Sequence, residues 1–153
     1  MPLIATRGAA SAQGFGEFAQ SAAATYIEDV FSTYLYTGTS ASLTITNQID
    51  LSTQGGLVWM KDRTAAFNHE LYDTARGATN ALRSNSTTAQ YSQTGGLTSF
   101  GTTGFSLGTS STTNLSGENY ASWTFRKQPK FFDVVVRNLA LRCLLLFQCR
   151  YTT

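Results

Sequence analysis

Turn signals recur about every ten residues along the middle of this chain, and the runs between them are short. Thr37-Gly38, Gln54-Gly55-Gly56, Arg76-Gly77 and Gly101-Thr102-Thr103 each interrupt an apolar or β-branched stretch. Such spacing leaves little room for helices of ordinary length. No strand–helix alternation supports a parallel α/β fold. The chain therefore reads as all-β and antiparallel, a sandwich or a barrel, over residues 25–133. Residues 1–24 read as an extended N-terminal arm and residues 134–153 as a tail of open structure.

Period-two alternation places individual strands. In Leu43–Ile49, the residues Leu43, Ile45, Asn47 and Ile49 share one face, and Thr44, Thr46 and Gln48 the other. In Tyr120–Arg126, the set Tyr120, Ser122, Thr124 and Arg126 alternates with Ala121, Trp123 and Phe125. Leu57–Lys61 is a continuous apolar run, which suggests a central strand covered on both sides. Tyr26–Tyr36 reads as a strand, with a short helix over Tyr26–Thr33 as the competitor. Leu71–Asp73 and Ala81–Ser84 are further strands, and Leu97–Phe100 with Gly104–Leu107 forms a hairpin. The loops are expected at 85–94 and 110–117. Trp59, Phe100, Phe105, Trp123 and Phe125 are assigned to the core by size and apolarity.

Charged residues make up only 13% of the chain, and Ser and Thr together about a quarter. Hydrophobic residues reach 42%, enough for a core, which excludes a disordered polar tract. The formal charge of +2 comes from scattered Lys and Arg, without the basic stripe of a nucleic-acid binder. A chain so poor in charge suits life inside an assembly better than life as a lone soluble monomer. The longest apolar run, Cys143–Phe147, is far too short to span a bilayer, and no secretory leader is read. Cys143 and Cys149 are expected as free thiols. With His69 the only histidine and no CxxC, no zinc site is expected. The sequons at Asn85 and Asn114 are taken as chance tripeptides in a Ser/Thr-rich chain. In the Ala/Gly-rich arm, Phe15 and Phe18 are the candidate anchors on a neighbouring subunit.

Several residues could carry chemistry, and each also has a plain structural reading. Asp62, His69, Glu70 and Asp73 form the densest group of ligand-capable side chains, but without the Asp-x-Asp-x-Asp spacing of a calcium loop. Paired charges, Asp62 beside Arg63 and Asp73 with Arg76, are the favoured reading. His69 with Asp73 and Ser84 or Ser86 lacks the nucleophile elbow of a triad enzyme. Glu70, Asp73 and Glu118 are the acids available for glycoside hydrolysis, and nothing singles out a pair. No enzymatic activity, cofactor or metal is expected. Arg63, Arg76 and Arg83 are read as partners in internal ion pairs before a contact patch. The loops 85–96 and 109–120, with Tyr91 and Tyr120, have the composition of adaptable binding loops.

Four motifs, GLVWMKDR (56–63), NHELYDTARG (68–77), LTSFGTTGFSLG (97–108) and NYASWTFRKQPKFFDVV (119–135), stand in this order. With the opening LIATRGAASAQGFGEF (3–18), they resemble a module of structural proteins from tailed phages, cyanophages especially, described as tail-fibre or virion proteins. The layout is also similar to laminin-G and concanavalin-type jelly rolls. The resemblance implies a jelly-roll-like sandwich and a virion location. It also implies other virion proteins as partners and a homo-oligomer, a trimer, while the charge pattern and the short apolar run give no expectation of nucleic acid or membrane as a partner. Capsid decoration or head fibre is the alternative setting, and a lectin or polysaccharide hydrolase acting on host surface glycan the alternative class. After Phe132 the chain departs from the module. VVRNLALRCLLLFQCRYTT holds both cysteines and three of the eight arginines. A short form, a shifted frame or a genuine last strand are all open there, with an altered or truncated end favoured.

Overall fold

The computed structural model describes residues 25–136. The expectations for the arm with Phe15 and Phe18, for Cys143 and Cys149, and for most of the tail lie outside these residues. The described part is an antiparallel β-sandwich. In chain order its elements are α1 (Ile27–Val30), β1 (Phe31–Thr37), β2 (Leu43–Thr46), β3 (Gly56–Asp62), β4 (Glu70–Asp73), β5 (Asn80–Arg83), β6 (Tyr91–Ser92), β7 (Leu97–Phe100), β8 (Gly104–Leu107), α2 (Ser111–Asn114) and β9 (Asn119–Arg126). A six-stranded sheet runs β1-β9-β3-β4-β5-β6, and a three-stranded sheet runs β2-β8-β7. Two separate sheets decide for the sandwich over the barrel.

The strands sit close to where alternation puts them. The run at Tyr26–Tyr36 divides into a one-turn helix and then a strand. Asp29 Oδ2 accepts from the Tyr26 amide at 2.9 Å, which closes the turn before the β-branched and aromatic residues take over. β2 stops at Thr46 because Gln48 adopts φ 65°, outside the strand region. Its face assignment still holds through the bend, with Ile45, Asn47 and Ile49 buried and Thr44, Thr46 and Gln48 exposed. The β7–β8 hairpin forms with a bulge between Leu97 and Ser99. Gly104 opens β8 at φ +150°, and a Cβ there would stand 1.9 Å from the Ile45 carbonyl oxygen of β2. Only glycine lets the two backbones approach so closely. Two short elements fall in expected loops, β6 within 85–94 and α2 within 110–117.

Between the sheets lies one buried cluster. Val58, Met60 and Tyr72 of the large sheet meet Ile45, Leu97, Phe105 and Leu107 of the small one. Three tyrosines complete it, and burial obliges each phenol to find a partner. Tyr36 donates to the Thr113 carbonyl at 2.7 Å. Tyr72 donates to Gln93 Oε1. Tyr120 donates to the Ser111 carbonyl at 3.1 Å and accepts from the Leu115 amide at 2.9 Å. Asn114, fully buried, ties the segment after β1 to the end of β8. Its Oδ1 accepts from the Thr39 amide at 2.8 Å, and its Nδ2 donates to the Ala41 and Gly108 carbonyls, each at 2.6 Å. That sequon asparagine is thus a structural residue.

Two expectations about faces fail. β3 is central in the large sheet, but it is not covered equally on both sides. Gly56, Val58, Met60 and Asp62 are buried, whereas Leu57, Trp59 and Lys61 are half-buried. In β9, Tyr120, Ser122 and Thr124 point into the sandwich, and Trp123 and Phe125 point away from it. Trp59, Trp123 and Phe125 therefore leave the core assignment, while Phe105 keeps it and Phe100 packs against the core edge. The polar set can face inward because it is hydrogen-bonded there: Thr124 Oγ1 accepts from Asn47 Nδ2 at 2.7 Å, and Ser122 Oγ donates to the Tyr34 carbonyl at 3.3 Å.

The buried phenols make the fold sensitive to alkali. Burial, first among the causes, lifts Tyr36 and Tyr72 well above the ordinary phenol value of 10.0 and pushes Tyr120 up to about 12. The folded chain keeps protons that the unfolded chain releases, so this stability is complete below pH 10 and is lost as pH rises above it. The loss approaches about 1.4 kcal/mol per pH unit for each fully buried phenol. Phenolate absorbance from Tyr36, Tyr72 and Tyr120 is expected to rise together with the loss of near-UV circular dichroism. Titration of these tyrosines at the ordinary phenol pH with the fold intact would contradict their placement.

Candidate functional site

The candidate site is the face of the large sheet that points away from the small one. Strand register builds it, because directly paired residues of antiparallel neighbours project to the same side. Phe31 pairs with Phe125, and Phe125 with Leu57. Trp123 pairs with Trp59, Trp59 with Leu71, and Leu71 with Leu82. The rings touch along the face: Phe31 to Phe125 at 5.0 Å, Phe125 to Phe132 at 5.4 Å and Trp59 to Trp123 at 5.3 Å between centroids. His69 closes one end, 6.3 Å from Trp59. All the described strands belong to the two sheets, and the small sheet packs on the opposite face. A broad aromatic and leucine surface is thus left half-covered.

The electrostatics of this face are weak. Burial first, and the Lys61 charge second, lower the proton affinity of His69. Both causes favour the uncharged imidazole on this face. Lys61 is half-buried on β3, and Lys127 pairs with Asp133 at 2.9 Å on the rim. The Trp59 indole N–H is shielded from water and has no hydrogen-bond partner among the described residues. An unpaired donor of that kind is costly unless something supplies an acceptor. Such an arrangement does its work by burying apolar area, worth about 25 cal/mol per Å² removed from water.

The residues considered for chemistry are engaged elsewhere. Asp62 is fully buried, and its Oδ1 accepts from the amides of Thr64 and Ala65 at 2.7 and 2.8 Å; it caps the turn after β3 and does not pair with Arg63. Glu70, also fully buried, accepts from the Tyr91 hydroxyl at 2.6 Å and from Arg83 Nε at 3.4 Å. The Arg83 guanidinium lies over the Tyr91 ring, 4.6 Å from its centre. Burial and the Glu70 carboxylate push the Tyr91 phenol up to about 12. Asp73 accepts from the Arg76 amide at 2.8 Å and pairs with the Arg76 guanidinium. Arg76 and Arg83 thus form internal ion pairs, as expected, but with buried acids. Glu118 contributes its backbone carbonyl to Gly38, and no shared site joins it to Glu70 or Asp73. Ser84 meets His69 only through the backbone, at 3.1 Å, and Ser86 bonds Thr88. Tyr120 is core, not a loop platform, and Tyr91 is held in the Glu70 network. The outward aromatics were missed because alternation shows which side chains share a face without showing which face is covered.

A comparison with protein families matches residues 27–130 to a domain of unknown function (DUF7483). The match runs from α1 to just beyond β9. No curated protein and no solved structure matches the chain.

The two faces of the large sheet should differ sharply in energetic cost. Phe105→Ala, opposite the large sheet in the core, is expected to cost about 3–5 kcal/mol. Trp123→Thr, which keeps a β-former on the outer face, should cost less than about 2 kcal/mol. Urea denaturation of the two variants measures both. Equal costs would put Trp123 back in the core.

Proposed function

The chain belongs to the DUF7483 family, and we propose that this member is a non-enzymatic structural component of a tailed-phage particle, a tail-fibre or tail-associated subunit. The observation that carries this reading is the outer face of the large sheet. A contiguous surface of Trp59, Trp123, Phe125, Phe31, Leu57 and Leu71 suits a protein interface far better than open solvent. The motifs from Gly56 to Val135, which resemble phage virion proteins, support the setting. So does the scarcity of charge, since interface cores are depleted in charged residues.

In this reading the protein works by binding and burial. The arm with Phe15 and Phe18 tethers the chain to neighbouring subunits, and the aromatic face packs on them. Its partners are other virion proteins and further copies of itself, with no role for nucleic acid or membrane. The acids that a hydrolase would need are spent on internal structure: Glu70 on Arg83 and Tyr91, Asp73 on Arg76, and Asp62 on two backbone amides.

Locating and counting the chain in purified particles tests the proposal. The expected result is a fixed copy number at the tail. Occupancy of three-fold or quasi-six-fold sites on the capsid lattice would replace the tail reading with decoration. Absence from the particle, or release of oligosaccharide from host polysaccharide by the pure chain, would overturn the proposal.

A further inference from the structure

We propose that β1 is a self-pairing edge, through which two copies of this chain join antiparallel and continue one large sheet into the other. This goes beyond the particle reading and does not rest on it, because the pairing can be measured on the free chain.

The four sheet edges are not alike. β6, the far edge of the large sheet, is two residues long. The edges of the small sheet, β2 and β7, have four residues each, and β7 carries the bulge between Leu97 and Ser99. Shortness and bulges are the usual protections against unwanted strand pairing, together with Lys and Pro. β1 has none of these. It is seven residues long, pairs with β9 in seven consecutive steps without a shift, and reads FSTYLYT with no charge and no proline.

Exposure points to the same edge. The large hydrophobic side chains exposed among the described residues fall on β1, on the residues just before it and on the segment that follows β9. Tyr26 and Ile27 precede the strand, Tyr34 and Leu35 are on it, and Phe131, Val135 and Val136 follow β9, its sheet neighbour. A hydrogen bond from Gln128 Nε2 to Thr25 Oγ1, at 3.4 Å, holds the two flanking segments together. Leu35 is 58% exposed in the middle of a strand, where a solvent-facing sheet would carry a polar residue.

The chemistry favours a second copy as the occupant. A two-fold axis near Tyr34, the middle residue, places the same uncharged strand on both sides, so no like charges meet. Each copy supplies the donors and acceptors that the other lacks. The outer faces, which begin at Phe31 and Leu35 on β1, then become continuous across the pair.

Sedimentation equilibrium of the full chain under reducing conditions, so that Cys143 and Cys149 cannot cross-link, tests this. It is combined with hydrogen exchange across a concentration series. The expected result is a reversible dimer, with protection in Phe31–Thr37 that grows with concentration. Leu35→Lys, at an exposed position that tolerates a charge, should weaken the dimer about tenfold or more and leave the melting temperature of the dilute chain unchanged. Should that variant misfold, the exchange data on the unaltered chain decide alone. A monomer at all concentrations with unprotected β1 amides would overturn the inference. So would protection independent of concentration, which would mean that residues 1–24 or 137–153 cover the edge. An oligomer indifferent to Leu35→Lys, or protection that needs another particle protein, would overturn it as well.

Discussion

Seven residue pairs between β3 and β9, from Gly56–Arg126 to Asp62–Tyr120, decide which side of the large sheet each aromatic takes. A slip of one residue would turn every side chain of one strand to the opposite face. With the observed register, Trp59 and Trp123 meet on the outside, and Met60 and Ser122 on the inside. The core and the aromatic face both follow from that pairing.

The register holds because the polar residues that β9 turns inward are hydrogen-bonded there. Tyr120, Ser122 and Thr124 all face the sandwich, and each has a hydrogen-bond partner there. A second polar layer ties sheet to loop: Glu70 engages Arg83 and Tyr91, and Gln93 accepts from Tyr72 while donating to Ser110 and Thr112 at 2.6 and 2.7 Å. Buried networks of this type cost little only when every member is paired, and then they select one arrangement. The large rings of Trp59, Trp123 and Phe125 stay outside a space that Tyr36, Tyr72, Tyr120 and Phe105 already occupy.

Much of the architecture was legible in the sequence. Alternation in Leu43–Ile49 and Tyr120–Arg126 located strands and sorted their residues into the right sets, and the glycine turns located the β7–β8 hairpin. The all-β antiparallel class followed from that spacing, and the two separate sheets then settled sandwich against barrel. The orientation of β9 was not legible, because hydrophobicity assigns tryptophan to the interior and cannot count partners waiting for Tyr120, Ser122 and Thr124. For the same reason the apolar run Leu57–Lys61 suggested cover on both sides, when half of it belongs to an outward face. The candidate site was hidden by this error. Its largest residues, Trp59, Trp123 and Phe125, were named, but they were placed in the core. The Glu70 network was equally hidden, since it depends on β4, β5 and β6 lying side by side.

The central claim is that the outer face of the large sheet is a docking surface. Oxidative footprinting of Trp59 and Trp123, on the free full-length chain and on purified particles, tests it most directly. The account predicts labelling of both tryptophans in the free chain and their protection in the particle. Equal labelling in the two states, or protection already complete in the dilute free chain, would contradict it.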